Sequence, residues 1–188
     1  MTGVQTCALP ILRASGTSSR TGDPALEALR IARGKPEAAI AAVLSASGDL
    51  PLDRAFFTAR DFDAVVYLSE GAPPARLQAL LGTGRRVVLV PAGDEIGAML
   101  RHMRTELGAG LALVEGGPTM NGALIAAGLV DEVFLPLGPI LIGGRDARTI
   151  VQEERETTLA DAAHLELLTA TPNPATSEVY MHYRVVRA

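Results

Sequence analysis

Apolar residues along the chain gather in short continuous runs, at Ala38–Leu44, Ala64–Leu68, Arg86–Val90, Leu111–Val114 and Glu132–Leu135. A strand covered on both faces has no solvent side to keep polar, so such runs predict strands of a parallel sheet sandwiched by helices. Predicted helices fall between them, at Pro24–Arg33, Ala75–Leu81, Asp94–Leu107 and Thr119–Ala127. In the third of these, Met99, Leu100, Met103 and Leu107 recur at three- and four-residue spacing, as a buried stripe does, and Asp94 is placed to cap the amino end. Strand and helix alternate, so the predicted class is α/β: a three-layer α-β-α arrangement with a mostly parallel sheet.

The pattern changes near the carboxyl end. His164–Thr171 and Glu178–Arg187 alternate polar and apolar positions and flank TPNPATS, which predicts an antiparallel hairpin whose loop contains Pro172 and Pro174. Gly138–Gly144 reads as a simple strand bounded by glycine turns, with a bent edge element lining a site or an oligomer contact as the alternative. Asp146–Ala162 reads as a surface connection with a short helical turn.

Composition narrows the function classes. At 188 residues with 48% hydrophobic and 20% charged positions, the chain is expected to be one globular domain. A net charge of −4 without a lysine or arginine block argues against a nucleic-acid or anionic-membrane surface. Aromatic residues make up 4% of the chain and tryptophan is absent, which leaves little for stacking bases. No apolar run approaches the roughly 20 residues a membrane span needs.

The single cysteine, Cys7, lies in Met1–Ile11, a stretch that matches the conceptual translation of a sequencing-adapter oligonucleotide. It is therefore set aside as a non-native segment, leaving 12–188 as the domain to be explained. A chain without native cysteine fits a cytoplasmic protein that uses no thiol chemistry.

The stretch that carries chemistry is LALVEGGPTMNGALIAAGLVDEVFLPLGPILIGG, Leu111–Gly144. An apolar run ends at Glu115, two glycines follow, and Pro118-Thr119 opens a helix that Gly128 closes. Glycines let a ligand approach the backbone, and the helix start offers unpaired N–H groups and the positive end of a dipole, so an anionic group fits there. Ligands of open α/β sheets sit beyond the carboxyl ends of strands, where Glu115 falls. The plainer alternative is an ordinary strand-to-helix turn. No Rossmann GxGxxG, P-loop or nucleophile elbow is present. His102, His164 and His182 show no metal-ligand spacing, so no metal is expected. Redox chemistry fits best, because hydride transfer belongs to a cofactor and asks few acids or bases of the protein.

With these residues in view, VEGGPTMNGALIAAGLVDEVFLPLGPILIGG resembles the C-terminal reductase domain of bacterial riboflavin-biosynthesis enzymes, the pyrimidine reductases with a dihydrofolate-reductase-like fold. The likeness extends more loosely over Gly16–Arg187, through a Gly-Thr turn, the helix end Ala32-Arg33-Gly34, the segment Ser47–Leu52 and the closing hairpin. The resemblance implies NADPH-dependent reduction of the ribosyl group of an aminopyrimidine ribosyl phosphate to a ribityl group, in a homodimer. It also implies Glu115 as a substrate contact and Gly116, Gly117, Pro118, Thr119, Met120, Asn121, Gly122 and Ala123 as cofactor-binding residues. Thr17 is implied near the nicotinamide, and Ser69 at the adenosine 2′-phosphate. The turn GTSSRTGDP departs from the family's aspartate-rich version, so Arg20 and Asp23 are not carried over as ligands. The family's first strand and helix are expected to precede Gly16, and a fragment lacking them is expected to be inactive. Two alternatives stay open: a non-catalytic nucleotide-binding or dimerising module of the same fold, and a related enzyme for another pterin or pyrimidine.

Overall fold

The computed structural model describes residues 2–7, 19–143, 149–152, 158–159 and 161–186, with backbone only for 2–7. Backbone contacts divide the chain into two compact units, Met1–Gly117 and Pro118–Ala188.

The first unit contains β1 (Thr2–Cys7), α1 (Pro24–Ala32), β2 (Ile40–Ser45), α2 (Ala55–Thr58), β3 (Ala64–Ser69), α3 (Pro74–Leu81), β4 (Arg86–Val90), α4 (Glu95–Thr105) and β5 (Ala109–Glu115). Its sheet has the order β4-β3-β2-β1-β5, and every pair runs parallel. All six residues of β3 are buried, which explains why that run has no polar alternation. Successive residues point to opposite faces. Ala64, Val66 and Leu68 join Ala41 and Val43 against Phe56 and Phe57 of α2 and Leu80 of α3. Val65 and Tyr67 join Ala42 and Val90 against Met99 and Met103 of α4. The predicted three layers are thus present in this unit, and the methionine stripe is core.

Local chemistry explains the connections. Asp23 caps α1 by accepting from the Ala25 amide at 2.8 Å, with Pro24 at the first helical position, where its missing N–H costs nothing. Arg20 is held among Glu27, Glu37 and Asp61. The short helix α2, not predicted from sequence, ends in carbonyls that need donors, and Arg85 provides them. Its guanidinium donates to Phe56 O at 2.8 Å, to Phe62 O at 3.0 Å and to Ala59 O, and lies 5.1 Å from the centre of the Phe62 ring. Gly48 has a φ of 70°, and a Cβ there would stand 2.9 Å from that of Arg76, so the turn after β2 admits only glycine.

Asp94 occupies the N-cap position of α4 but makes no capping bond, contrary to the sequence expectation. Its backbone, at φ −135° and ψ 31°, departs from the extended conformation of a capping residue, and its carboxylate is engaged with Arg101.

The larger departure concerns β1. Thr2–Cys7, set aside from the sequence reading, is the strand between β2 and β5. Val4–Thr6 pair with Ile40–Ala42 on one side, and Gly3–Cys7 pair with Leu111–Glu115 on the other. Ladder pairing is made by backbone N–H and C=O groups that every non-proline residue carries, so an extended segment can fill such a slot with little demand on its sequence.

The second unit contains α5 (Pro118–Ala126), β6 (Glu132–Leu137), β7 (His164–Asn173) and β8 (Glu178–Val186). Gly128, with a φ of 65°, closes α5 as expected, its amide donating to Ile125 O at 2.9 Å while Leu129 N reaches Leu124 O. The predicted hairpin is present as β7 and β8, but three expectations change. The strand at Glu132 joins the hairpin in an antiparallel sheet, order β6-β8-β7, so the sheet is parallel only in the first unit. Pro172 lies within β7, paired with Val179, because β7 is an edge strand whose outer side needs no donor. Residues 138–143 form no strand, and Ile140, Leu141 and Ile142 are exposed. Most of Asp146–Ala162 lies outside the described residues.

Truncating Phe56, fully buried between α2 and the sheet, leaves a cavity and unsupported apolar surface. Phe56→Ala is expected to lower stability by about 3–5 kcal/mol in urea unfolding, whereas truncation of exposed Leu141 should leave the midpoint within error.

Candidate functional site

Because all five strands of the first unit run the same way, their carboxyl ends gather at one edge, where open α/β sheets bind ligands. Ser45, Ser69, Val90 and Glu115 end β2, β3, β4 and β5 there. The hollow lined by Asp63, Gly84, Arg85 and Arg86 lies at the opposite, amino edge.

Glu115 is exposed at the last position of β5, in register with Cys7. Gly116 and Gly117 then end the first unit, and Pro118 opens the second. In α5, Pro118 has no N–H, and the first-turn amides of Thr119 and Met120 have no acceptor within the helix. Asn121 Nδ2 donates to Ile150 O at 2.9 Å, and Gln152 N donates to Pro118 O at 3.0 Å. The Asn121 side chain therefore ties residues 149–152 to the start of the helix. Gly122 is buried, which makes it a packing position, while Thr119 and Ala123 are exposed. Thr17 lies outside the described residues.

Ser69 is buried, and its hydroxyl donates to Glu95 Oε1 at 2.9 Å while accepting more distantly from Gly71 N at 3.4 Å. Glu95 Oε2 accepts from Gly93 N at 3.0 Å. Its own backbone amide first, then the Ser69 hydroxyl, hold the Glu95 carboxyl below the usual range, so it stays ionised. Sequence reasoning missed Glu95. The available signal was an acidic residue at a helix start directly after a strand and a Pro-Ala-Gly-Asp turn.

Deeper in the same layer, Tyr67 OH and His102 Nδ1 are 3.0 Å apart, with the rings edge to face. Burial pushes the Tyr67 phenol up to about 12, against a small opposing effect of Arg86. The pair bonds α4 to β3 and satisfies the one polar atom of a buried ring.

Residues 11–172 match the RibD C-terminal domain. The chain belongs to that family. This RibD C-terminal domain is 38% identical over 103 residues to the 2,5-diamino-6-ribosylamino-4(3H)-pyrimidinone 5′-phosphate reductase of Methanothermobacter thermautotrophicus, covering 55% of this chain and 47% of the relative. It is 30% identical over 151 residues to the protein of the same name from Aquifex aeolicus, covering 79% of this chain and 65% of the relative. The chain thus spans about half to two thirds of the length of these curated relatives. Among solved structures, a pyrimidine reductase-like protein of Corynebacterium diphtheriae superposes with a TM-score of 0.83 at 17% identity, over 100% of this chain and 76% of that one. Acinetobacter baumannii RibD does so with a TM-score of 0.71 at 16% identity, over 98% of this chain and 47% of that one. At these identities the likeness establishes the α/β fold.

The Tyr67 assignment has a measurable consequence. An unfolded phenol ionises near 10 while the folded one holds its proton to about 12, so this group's contribution to stability is full below pH 10 and is lost as pH rises through 12. Ultraviolet titration should show a phenol ionising near 12 that is missing in Tyr67→Phe, and the stability lost between pH 10 and 12 should shrink in that variant.

Proposed function

We propose that this RibD C-terminal domain is the reductase part of an enzyme that converts the ribosyl group of an aminopyrimidine ribosyl phosphate to a ribityl group at the expense of a nicotinamide dinucleotide. The observation that carries the reading is the 38% identity to a curated reductase of that chemistry. NADPH is the form the family resemblance implies. The cofactor, when bound, supplies the hydride that reduces the sugar carbon.

Each unit, taken by itself, offers donors or acceptors that suit a part of a dinucleotide. The Thr119 and Met120 amides at the start of α5, preceded by Gly116 and Gly117, suit a pyrophosphate. Pro118 fixes the first turn, Asn121 braces it through Ile150, and Gly122 is buried within the helix. Ser69 and Glu95, at the carboxyl end of the sheet, suit the hydroxyls of an adenosine ribose. Glu115, at the end of β5, would accept hydrogen bonds from the amino or ribose groups of the substrate and so orient the carbon to be reduced. Thr17 remains proposed on the nicotinamide side.

Met1–Ile11 is proposed to be an adapter-derived segment ahead of a reductase domain at 12–188. In support, the family match begins at residue 11, where the adapter match ends. The backbone of Thr2–Cys7 completes the ladders of the sheet whatever its origin. The homodimer and the cytoplasmic location are also proposed. Phe134, Leu137, Leu165 and Leu167, exposed on the antiparallel strands, support the former, and the absence among the described residues of any helix long and apolar enough to cross a membrane accords with the latter.

Titration of the chain with NADPH and with NADH by calorimetry should show binding of at least one of them. Gly117→Asp should weaken that binding roughly tenfold or more by setting a carboxylate against the pyrophosphate. Failure of both to bind, or binding indifferent to Gly117→Asp, would overturn the reading.

A further inference from the structure

The ends of β3 and β4 carry an arrangement that neither the family match nor the relatives' names assign. Ser69 is 3% exposed and gives its hydroxyl proton to Glu95 Oε1 at 2.9 Å. The second carboxylate oxygen of Glu95 is bonded to Gly93 N at 3.0 Å, so the side chain is fixed from two directions at the carboxyl end of the sheet. Charge in the neighbouring turns is mostly negative: Glu70 follows Ser69, and Asp94 precedes Glu95. The nearby arginines each have an acidic partner: Arg101 of α4 pairs with Asp94, and Arg76 of α3 with Asp49.

A carboxylate held in this way accepts hydrogen bonds from the vicinal hydroxyls of a ribose. The same carboxylate repels a phosphate ester at the 2′ position, which needs an arginine or lysine and carries close to two negative charges. Serine alone at the end of β3 would tolerate either form. Serine already committed to a carboxylate presents an acceptor.

We propose that Glu95, oriented by Ser69, is the residue that sets cofactor choice, selecting an unphosphorylated adenosine ribose and therefore NADH over NADPH. This rests on the reading of the chain as a nicotinamide-dependent reductase and opposes the NADPH preference that the family resemblance implies. Selection works through what the site rejects, because a phosphate brought to a fixed carboxylate meets a like charge.

The test uses probes that isolate the adenine half, adenosine 5′-monophosphate and adenosine 2′,5′-bisphosphate, titrated calorimetrically into the full 188-residue chain. The monophosphate is expected to bind about tenfold more tightly than the bisphosphate. Glu95→Gln, a neutral side chain of nearly the same shape on a partly exposed position, should recover about tenfold in bisphosphate affinity while changing the monophosphate severalfold at most. Ser69→Ala should narrow the preference by freeing the carboxylate to turn away. Tighter binding of the bisphosphate to the unmodified chain, or a preference unchanged in Glu95→Gln, overturns the proposal and leaves the reductase reading standing. Binding of neither probe, together with neither NADH nor NADPH, overturns both.

Discussion

The first unit depends on β3 being covered on both faces. With all six residues of Ala64–Ser69 buried, the strand must be apolar throughout, must have neighbours on both edges and must lie under helices on both sides. Each demand fixes a piece of sequence elsewhere. Phe56, Phe57 and Leu80 close one face, Met99 and Met103 the other, and β2 and β4 take up the two edges. The one phenol buried in this layer, Tyr67, is tolerated because His102 reaches it from α4. A parallel sheet so enclosed delivers its carboxyl ends together, which is why Ser69 and Glu115, distant in sequence, share an edge.

How much of this is legible in the sequence depends on which force decides each element. The runs at Ala64 and Arg86 and the stripe at Met99 and Met103 are decided by burial, and a pattern of apolar positions reports burial directly. Pro24 after Asp23 and the glycine at 128 are decided by the backbone, and their signals are equally local. The failures have a different cause. Asp94 has the right chemistry for a cap, but its backbone departs from the capping conformation and its carboxylate is engaged with Arg101, seven residues away. Pro172 reads as a loop residue until β7 is known to be an edge, where a missing donor faces no ladder. The partner of Glu132–Leu137 could not be read at all, since a short apolar run does not reveal whether its neighbour is parallel.

The candidate site divides in the same way. Gly116 to Thr119 is read from local residues, because glycine permits close approach to the backbone and proline suits a helix start. Ser69 is implied by family likeness alone. Its bond to Glu95 crosses 26 residues, and nothing local to either side chain discloses it. Asn121, implied as a cofactor contact, gives one amide hydrogen to Ile150 O. Bracing of this kind still serves a binding site, because a helix start can present its amides only if its first turn is held.

The position of β1 separates two roles that a strand at the centre of a sheet usually combines. Thr2–Cys7 supplies backbone donors and acceptors to both β2 and β5, which is what the sheet requires of it. That requirement is nearly blind to side chains, since the ladder uses groups common to all residues. Side chains are the part of a strand that can be specific to a function, so a segment can complete a sheet whatever function its own side chains serve. Likeness of fold, even across the whole chain, therefore reports on the backbone atoms.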